Sequence, residues 1–354
     1  MAALDQADRL PLDGPARFLE TSETMNERVA LASYPRCGNS LLRKLIEQAT
    51  GVITGADTLP ERTLSQALQR CGARGEGIVD GRVWVVKTHY PERKGFVELP
   101  VDRAILLVRN PWDAIDSYFN MALTNDHATS LRDDQYERFE DLWRELTAAE
   151  AGVWARFNRW WLQAPVPLLV VRYEDLVHHR HRTLRRVCWF LRGERELEGT
   201  PWAERVAAAA KLDDTRAGFY APRNNGAAKL PGAALRRFDD AARRAVAAAA
   251  GSLLQDFGYG ERFPTDASVA PRAVRRPVPQ GDARHEVVGG RLVLNTGREV
   301  RPSGSKHGRY MTTFRKALRE PVVAADGTAL NMHEVEAARE RWRRKRAAPR
   351  GAAN

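Results

Sequence analysis

Short, nearly unbroken apolar runs recur along the first half of the chain, and each is followed by a longer stretch whose apolar residues fall three and four apart. The runs Val29–Ser33, Val83–Thr88, Ala104–Arg109 and Pro167–Arg172 are rich in β-branched residues and lack the polar alternation of a half-exposed strand. They read as strands buried on both faces, the signature of a parallel sheet. The intervening segments Ser40–Ala49, Thr63–Cys71, Trp112–Met121, Gln135–Trp161 and His181–Leu191 carry helical spacing. This alternation predicts an α/β fold, a three-layer α/β/α sandwich around a central parallel sheet. Two more helices are expected at Trp202–Lys211 and Ala233–Phe257, the second stopping at Gly258 and Gly260.

Beyond that point the pattern changes. The stretch "PTDASVAPRAVRRPVPQGDARH" is rich in Pro, Ala and Arg and reads as a linker. It is followed by an expected hairpin turning at Gly289-Gly290 and by a basic helix in "HEVEAARERWRRKRA". The division expected is a lead-in at 1–27, a compact domain at 28–262 and a basic linker and C-terminal extension at 263–354. Charge follows the same division. Residues 271–354 hold 19 Lys/Arg against 8 Asp/Glu, which accounts for the whole formal charge of +11 and leaves the body neutral. With 354 residues and 43% apolar content the chain can bury a substantial core. No basic start leads into an apolar run, so no leader or membrane span is expected and the expected location is cytoplasmic. The three cysteines, Cys37, Cys71 and Cys188, are far apart and lack CxxC spacing, which argues against a disulfide framework or a zinc site.

Chemistry concentrates where the expected strands end. In "LASYPRCGNSLLRKL" a strand turns sharply into a helix, so unpaired backbone N–H groups and the positive end of the helix dipole face the turn. Pro35 stiffens the turn, Gly38 permits close backbone approach, Arg36 adds a cation, and Asn39 and Ser40 add polar side chains. Taken alone, the stretch fits a capped strand-turn-helix equally well. The GxxxxGK[ST] pattern for a nucleoside triphosphate with magnesium is absent. The next strand ends in "VVKTHYP" and the following one in "LLVRNPWDAIDSYFN", so three consecutive strands end in polar residues at the edge where open α/β sheets bind ligands.

These blocks resemble the sulfotransferase family, enzymes that use 3′-phosphoadenosine 5′-phosphosulfate (PAPS). "YPRCGNS" is similar to the family's phosphosulfate loop Tyr-Pro-Lys-Ser-Gly-Thr-Thr, and Lys87-Thr88-His89 matches its catalytic Lys-Thr-His. Arg109 and Ser117 have the spacing of its 3′-phosphate pair, and "WWLQAPVPLLVVRYEDL" is similar to its Trp-rich helix, strand and Tyr-Glu-Asp turn. The resemblance spans Val29 to Tyr259 and implies a P-loop-containing nucleotide-binding fold and in-line sulfuryl transfer, by positioning and electrostatics, to a hydroxyl or amine. It implies His89 as general base, with Lys87 and Arg36 stabilising the leaving phosphate. Arg36, Cys37, Gly38, Asn39, Ser40 and Leu41 would form the phosphosulfate loop, Arg109 and Ser117 would hold the 3′-phosphate, and Tyr173 would meet adenine. Thr215, Arg223 and Gly226 are its matches in "TRAGFYAPRNNGAAKL". Departures are Arg36 for Lys, Cys37 for Ser, Leu41 for an aromatic, and a missing Gly-Asp-Trp continuation after Gly226.

PAPS is the implied co-substrate, with no metal and with a small-molecule acceptor whose pocket would draw on Thr50–Arg82, Leu123–Gln135 and Ala203–Asn225. The basic tail reads as a solvated appendage, with nucleic acid or an anionic surface as its alternative partners. Two other classes compete for the whole chain. A P-loop kinase or NTPase would share the strand-loop-helix but needs the Lys-Ser/Thr that this loop lacks, and a non-catalytic nucleotide- or nucleic-acid-binding protein leaves Lys87 and His89 unexplained. Acceptor identity and oligomeric state are not written in the sequence.

Overall fold

The computed structural model describes residues 14–23, 25, 27–91, 98–127, 129–193, 196–212, 231–260, 285–288, 291–294, 321–330, 335–337 and 340. Its centre is a five-stranded parallel sheet of β1 (Val29–Ser33), β2 (Gly55–Ala56), β3 (Val85–Thr88), β5 (Arg103–Val108) and β6 (Leu168–Arg172), ordered β2-β3-β1-β5-β6. β1 is the hinge of the topology. Its residues Val29–Ala32 pair with Val85–Thr88 on one side, and Val29–Ser33 pair with Arg103–Leu107 on the other. All of β1 and β3 is buried, which is why their sequences carry no polar alternation. Only the edge strand β6 is half-buried over its first three residues.

Helices flank the sheet to make the expected three layers. α1 (Asn39–Thr50) packs with α7 (Arg180–Leu191) and α8 (Pro201–Ala210). α3 (Pro111–Thr124), α5 (Glu140–Leu162) and α9 (Asp240–Ala250) pack together in a second group. Smaller helices are α2 (Thr63–Arg70), α4 (Asp134–Arg138), α6 (Tyr173–His178) and α10 (Leu253–Asp256). α5 fixes the sheet's working edge from behind. Its buried indoles donate to the carbonyls just past two strand ends, Trp154 Nε1 to Arg109 O at 3.1 Å and Trp161 Nε1 to Tyr90 O at 2.8 Å.

Local chemistry breaks two helices that periodicity joins. The segment Gln135–Trp161 divides at Phe139, whose φ of −112° leaves the helix while its ring enters an aromatic cluster with Phe119, Tyr136, Trp143 and Phe238. The segment Ala233–Phe257 divides twice. A 3-10 turn covers Ala233–Arg237, then Asp239 caps α9 by accepting from Ala242 N at 2.7 Å, and Gly251 with φ +58° ends it.

The C-terminal residues return to the body at two places. The expected hairpin forms from β7 (His285–Val288) and β8 (Arg291–Leu294), and β8 continues antiparallel onto β4 (Leu99–Val101) with Leu292 and Leu294 buried in the main core. Arg291 seals this junction through its ion pair with Asp102. Farther on, residues 321–330 lie against the turn before α4: Leu131 and Ala324 form a bridge, Ala325 N donates to Ser130 O at 2.8 Å, and Val322 is fully buried beside Leu131. Val322→Ala is therefore expected to cost about 2 kcal/mol of unfolding free energy in urea, the removed methyls plus an incompletely closed cavity. An unchanged midpoint would show that this segment lends the body no stability.

Candidate active site

The parallel registers set Thr88 opposite Ala32, Ser33 opposite Leu107 and Val108 opposite Arg172, so the four strands end at staggered levels along a single edge that the residues after them share. The loop after β1 is sharply wound. Arg36 adopts φ +68° and Gly38 φ +95°, and Gly38 caps α1 with no side-chain hydrogen bond. A non-glycine residue in the left-handed region costs about 1–2 kcal/mol, so the rest of the loop must hold Arg36 there. Only glycine fits at 38: a Cβ there would lie 2.3 Å from Tyr173 Cδ2.

Arg36 is the most heavily engaged residue of the loop. Its backbone carbonyl accepts from Arg109 Nη1 at 2.9 Å and its Nε donates to Ser117 Oγ at 3.1 Å. Its two terminal nitrogens meet His127, Nη1 at Nδ1 (2.9 Å) and Nη2 at the carbonyl (2.8 Å). Arg36 thus joins Arg109 and Ser117, eight residues apart in sequence, to the loop. Arg109 lies 4.5 Å over the Tyr173 ring, and its Nε–H is buried with no hydrogen-bond partner among the described residues. An unmatched buried donor of this kind costs about 1–3 kcal/mol, which an arriving anion would recover.

Around the loop, Asn39 Nδ2 donates to Ser33 Oγ at 3.1 Å and Ser40 lies beside Asn39. Leu41 is buried in the core, so its side chain forms no wall of the site. Cys37 is also fully buried, and that burial pushes its thiol far up, which keeps it a neutral thiol. Thr215, Arg223 and Gly226 lie outside the described residues.

At the end of β3, His89 Nδ1 meets Ser33 O at 2.5 Å. A carbonyl only accepts, so a proton sits on Nδ1, and in the neutral ring the lone pair is then on Nε2. Lys87 is buried two residues earlier, within β3. Burial lowers its pKa, the Glu76 and Asp57 carboxylates oppose that shift, and the Arg43 guanidinium reinforces it. These carboxylates are themselves anchored. Glu76 pairs with buried Arg43 and accepts from Thr58 Oγ1 at 3.1 Å, while Asp57 accepts from Thr88 Oγ1 at 2.6 Å.

Sequence patterning missed several of these partners. His127, Asp57 and Glu76 lie in loops without motif, and 91 residues separate His127 from Arg36. Glu174 is another: inside the Tyr-Glu-Asp turn, its buried carboxylate accepts from Asn110 N at 3.1 Å and Tyr259 OH at 2.7 Å, tying the ends of β5 and β6 to the end of the body. Asp113 accepts from Gly232 N and Ala234 N at 2.7 and 3.0 Å, fixing the 3-10 turn to the start of α3. Among the described residues, no group of three His, Cys, Asp or Glu side chains could hold a metal, and no helix is long and apolar enough to cross a membrane.

Residues 97–196 match the model of the sulfotransferase family. That span, 100 of the 354 residues, is what the chain shares with the sulfotransferase family. The matched span holds Arg109, Ser117 and Tyr173 and begins after the loop and His89. The chain is 35% identical over 179 residues to "WSCD family member CG9164" of Drosophila melanogaster, covering 50% of this chain and 54% of that protein. It is 32% identical over 174 residues to "WSCD family member AAEL009094" of Aedes aegypti, covering 49% and 52%. The chain thus spans about half the length of the curated relatives it matches. Among solved structures it is similar to mouse sulfotransferase SULT7A1 complexed with PAP, with 15% identity, a TM-score of 0.40, and coverage of 73% of this chain and 90% of that one.

The buried carboxylate near Lys87 carries a pH signature. Burial pushes Asp57 up to about 6 from an ordinary 3.8, against the pull of Lys87 and the Thr88 hydrogen bond. A raised carboxylate pKa makes its contribution to stability largest at low pH and lost as pH climbs through the folded value. Asp57→Asn, which keeps an acceptor for Thr88, should therefore gain on the order of 2 kcal/mol relative to the parent between pH 4 and pH 7. Parallel urea titrations at the two pH values would reveal no relative gain if Asp57 were ionised throughout.

Proposed function

We propose that this chain transfers a sulfuryl group from PAPS to a hydroxyl or amine of a small-molecule acceptor, using the domain at 28–262 with residues 263–354 as its extension. The observation that carries the reading is the hydrogen bond from His89 to Ser33 O, which presents a basic imidazole nitrogen at the strand end beside the phosphate loop and Lys87. The donor supplies an activated sulfuryl group on a phosphate leaving group, and the remaining work falls to the protein.

His89 Nε2 takes the proton of the attacking hydroxyl or amine, which sharpens the nucleophile as the new bond forms. Lys87 lies where negative charge gathers on the departing phosphate. Its ammonium is costly while buried with only partial compensation, so it gains most when that charge appears. Arg36 adds a planar fork to the same side of the loop. The backbone N–H groups of Gly38, Asn39, Ser40 and Leu41 open α1 toward the anion, with Cys37 contributing only its main chain. Arg109 and Ser117 take the 3′-phosphate, for which the buried Arg109 Nε–H supplies a donor. Tyr173 borders the adenine end, with Thr215, Arg223 and Gly226 proposed to complete the 3′-phosphate side.

His89→Ala should fold, bind 3′-phosphoadenosine 5′-phosphate as the parent does, and lose transfer by at least about 100-fold, the usual yield of general-base catalysis. A variant that transfers at the parental rate removes His89 from the mechanism. Calorimetry should find that Arg109→Ala weakens binding of the 3′-phosphorylated nucleotide at least about tenfold more than that of adenosine 5′-phosphate, since a charge-assisted contact is lost from the former alone. Equal losses for both nucleotides would place the 3′-phosphate elsewhere.

A further inference from the structure

The guanidinium of Arg36 meets three acceptors through three different nitrogens, and two of these acceptors belong to His127. Arginine has no acceptor to offer, so His127 Nδ1 must carry the lone pair and Nε2 the proton, which points to Leu64 O at 3.3 Å. The imidazole is therefore fixed in one neutral tautomer, and its burial beside the Arg36 charge favours that state, pushing it down to about 4.

His127 does not depend on Arg36 for its own place. Asp126 Oδ1 accepts from His127 N at 2.7 Å, and its Oδ2 accepts from Thr129 N at 2.8 Å. The same loop is pinned farther along, where Leu131 N donates to Asn120 Oδ1 at 2.8 Å and Ala325 N donates to Ser130 O. His127, anchored through Asp126, thus holds out two acceptors, side chain and carbonyl, to the planar fork.

We infer that His127 is a positioning residue, which orients the Arg36 guanidinium toward the phosphate loop through its neutral Nδ1. The inference rests on the proposed sulfuryl-transfer reading of that loop. It explains a strained arginine: the left-handed backbone of Arg36 is held by the fit of its side chain between Ser117 and His127. Arg36 serves the leaving phosphate, so losing its orientation should slow cleavage of the donor more than it weakens nucleotide binding.

The two ring nitrogens can be tested separately. His127→Asn places an amide oxygen near the position of Nδ1, whereas His127→Gln reaches toward Leu64 and leaves the Nδ1 position without an acceptor. Cleavage of saturating PAPS, with water or an acceptor pool taking the sulfuryl group, is measured beside calorimetric binding of 3′-phosphoadenosine 5′-phosphate. The expected result is a rate within threefold of the parent for His127→Asn and a loss of about tenfold for His127→Gln, with less than a threefold change in binding for both. Equal rates for the two variants, or equal losses in rate and in binding, overturn the inference. Arg36→Ala separates the two levels. If it is inactive while His127→Gln is parental, the inference alone falls; if Arg36→Ala cleaves the donor normally, the reading of the loop falls and takes the inference with it.

Discussion

The buried carboxylate of Glu174 is the tie on which the candidate site hangs. It stands two residues past β6, accepts from the backbone of Asn110 two residues past β5, and is closed from behind by the Tyr259 hydroxyl. Burial raises its pKa, and those two donors, together with the Arg109 charge, work against the shift. Through that one side chain the turns bearing Arg109 and Tyr173 keep their mutual position, and Arg109 in turn holds the carbonyl of Arg36. Parallel strands supply a common edge; Glu174 and the indoles of Trp154 and Trp161 keep the loops beyond that edge from drifting.

The electrostatics follow a consistent plan. On the loop side Arg36 and Arg109 meet a hydroxyl, an imidazole, carbonyls and an aromatic face, and the carboxylates of Asp113 and Glu174 act on Arg109 as well. Neutral partners orient a guanidinium without cancelling its charge. Below Lys87, the carboxylates of Asp57 and Glu76 moderate a buried ammonium, and Arg43 neutralises Glu76 in turn. A network of this type is expensive to break singly, since removal of one member strands another in a low-dielectric interior.

Much of the fold was legible because burial on both faces leaves a simple mark in sequence. β1 falls at its expected bounds, and β3, β5 and β6 begin or end within two residues of theirs. β2 and β4 escaped notice: at two and three residues they are too short to show any period, and β4 exists through its pairing with β8 almost 200 positions later. The helix breaks at Phe139 and Asp239 were hidden because apolar spacing continues across them, while a tertiary ring contact and a cap decide the backbone. Motif resemblance singled out the residues at the strand ends, but it could not supply His127, Asp57 or Glu174. Their roles arise from distances across the fold, and no local propensity encodes such a pairing. The sequence contrast between a neutral body and a basic extension likewise concealed that Leu292, Leu294 and Val322 are part of the body's apolar cores.

The contact between Gly38 and the Tyr173 ring has a metrical meaning. With no Cβ between them, the backbone of the loop lies close against the ring. On the proposed reading one of them meets the phosphosulfate end of the donor and the other its adenine end. The missing side chain then works as a gauge block: it sets the span against which a nucleotide is measured, and a donor with one phosphate more or fewer would fail to register at both ends at once.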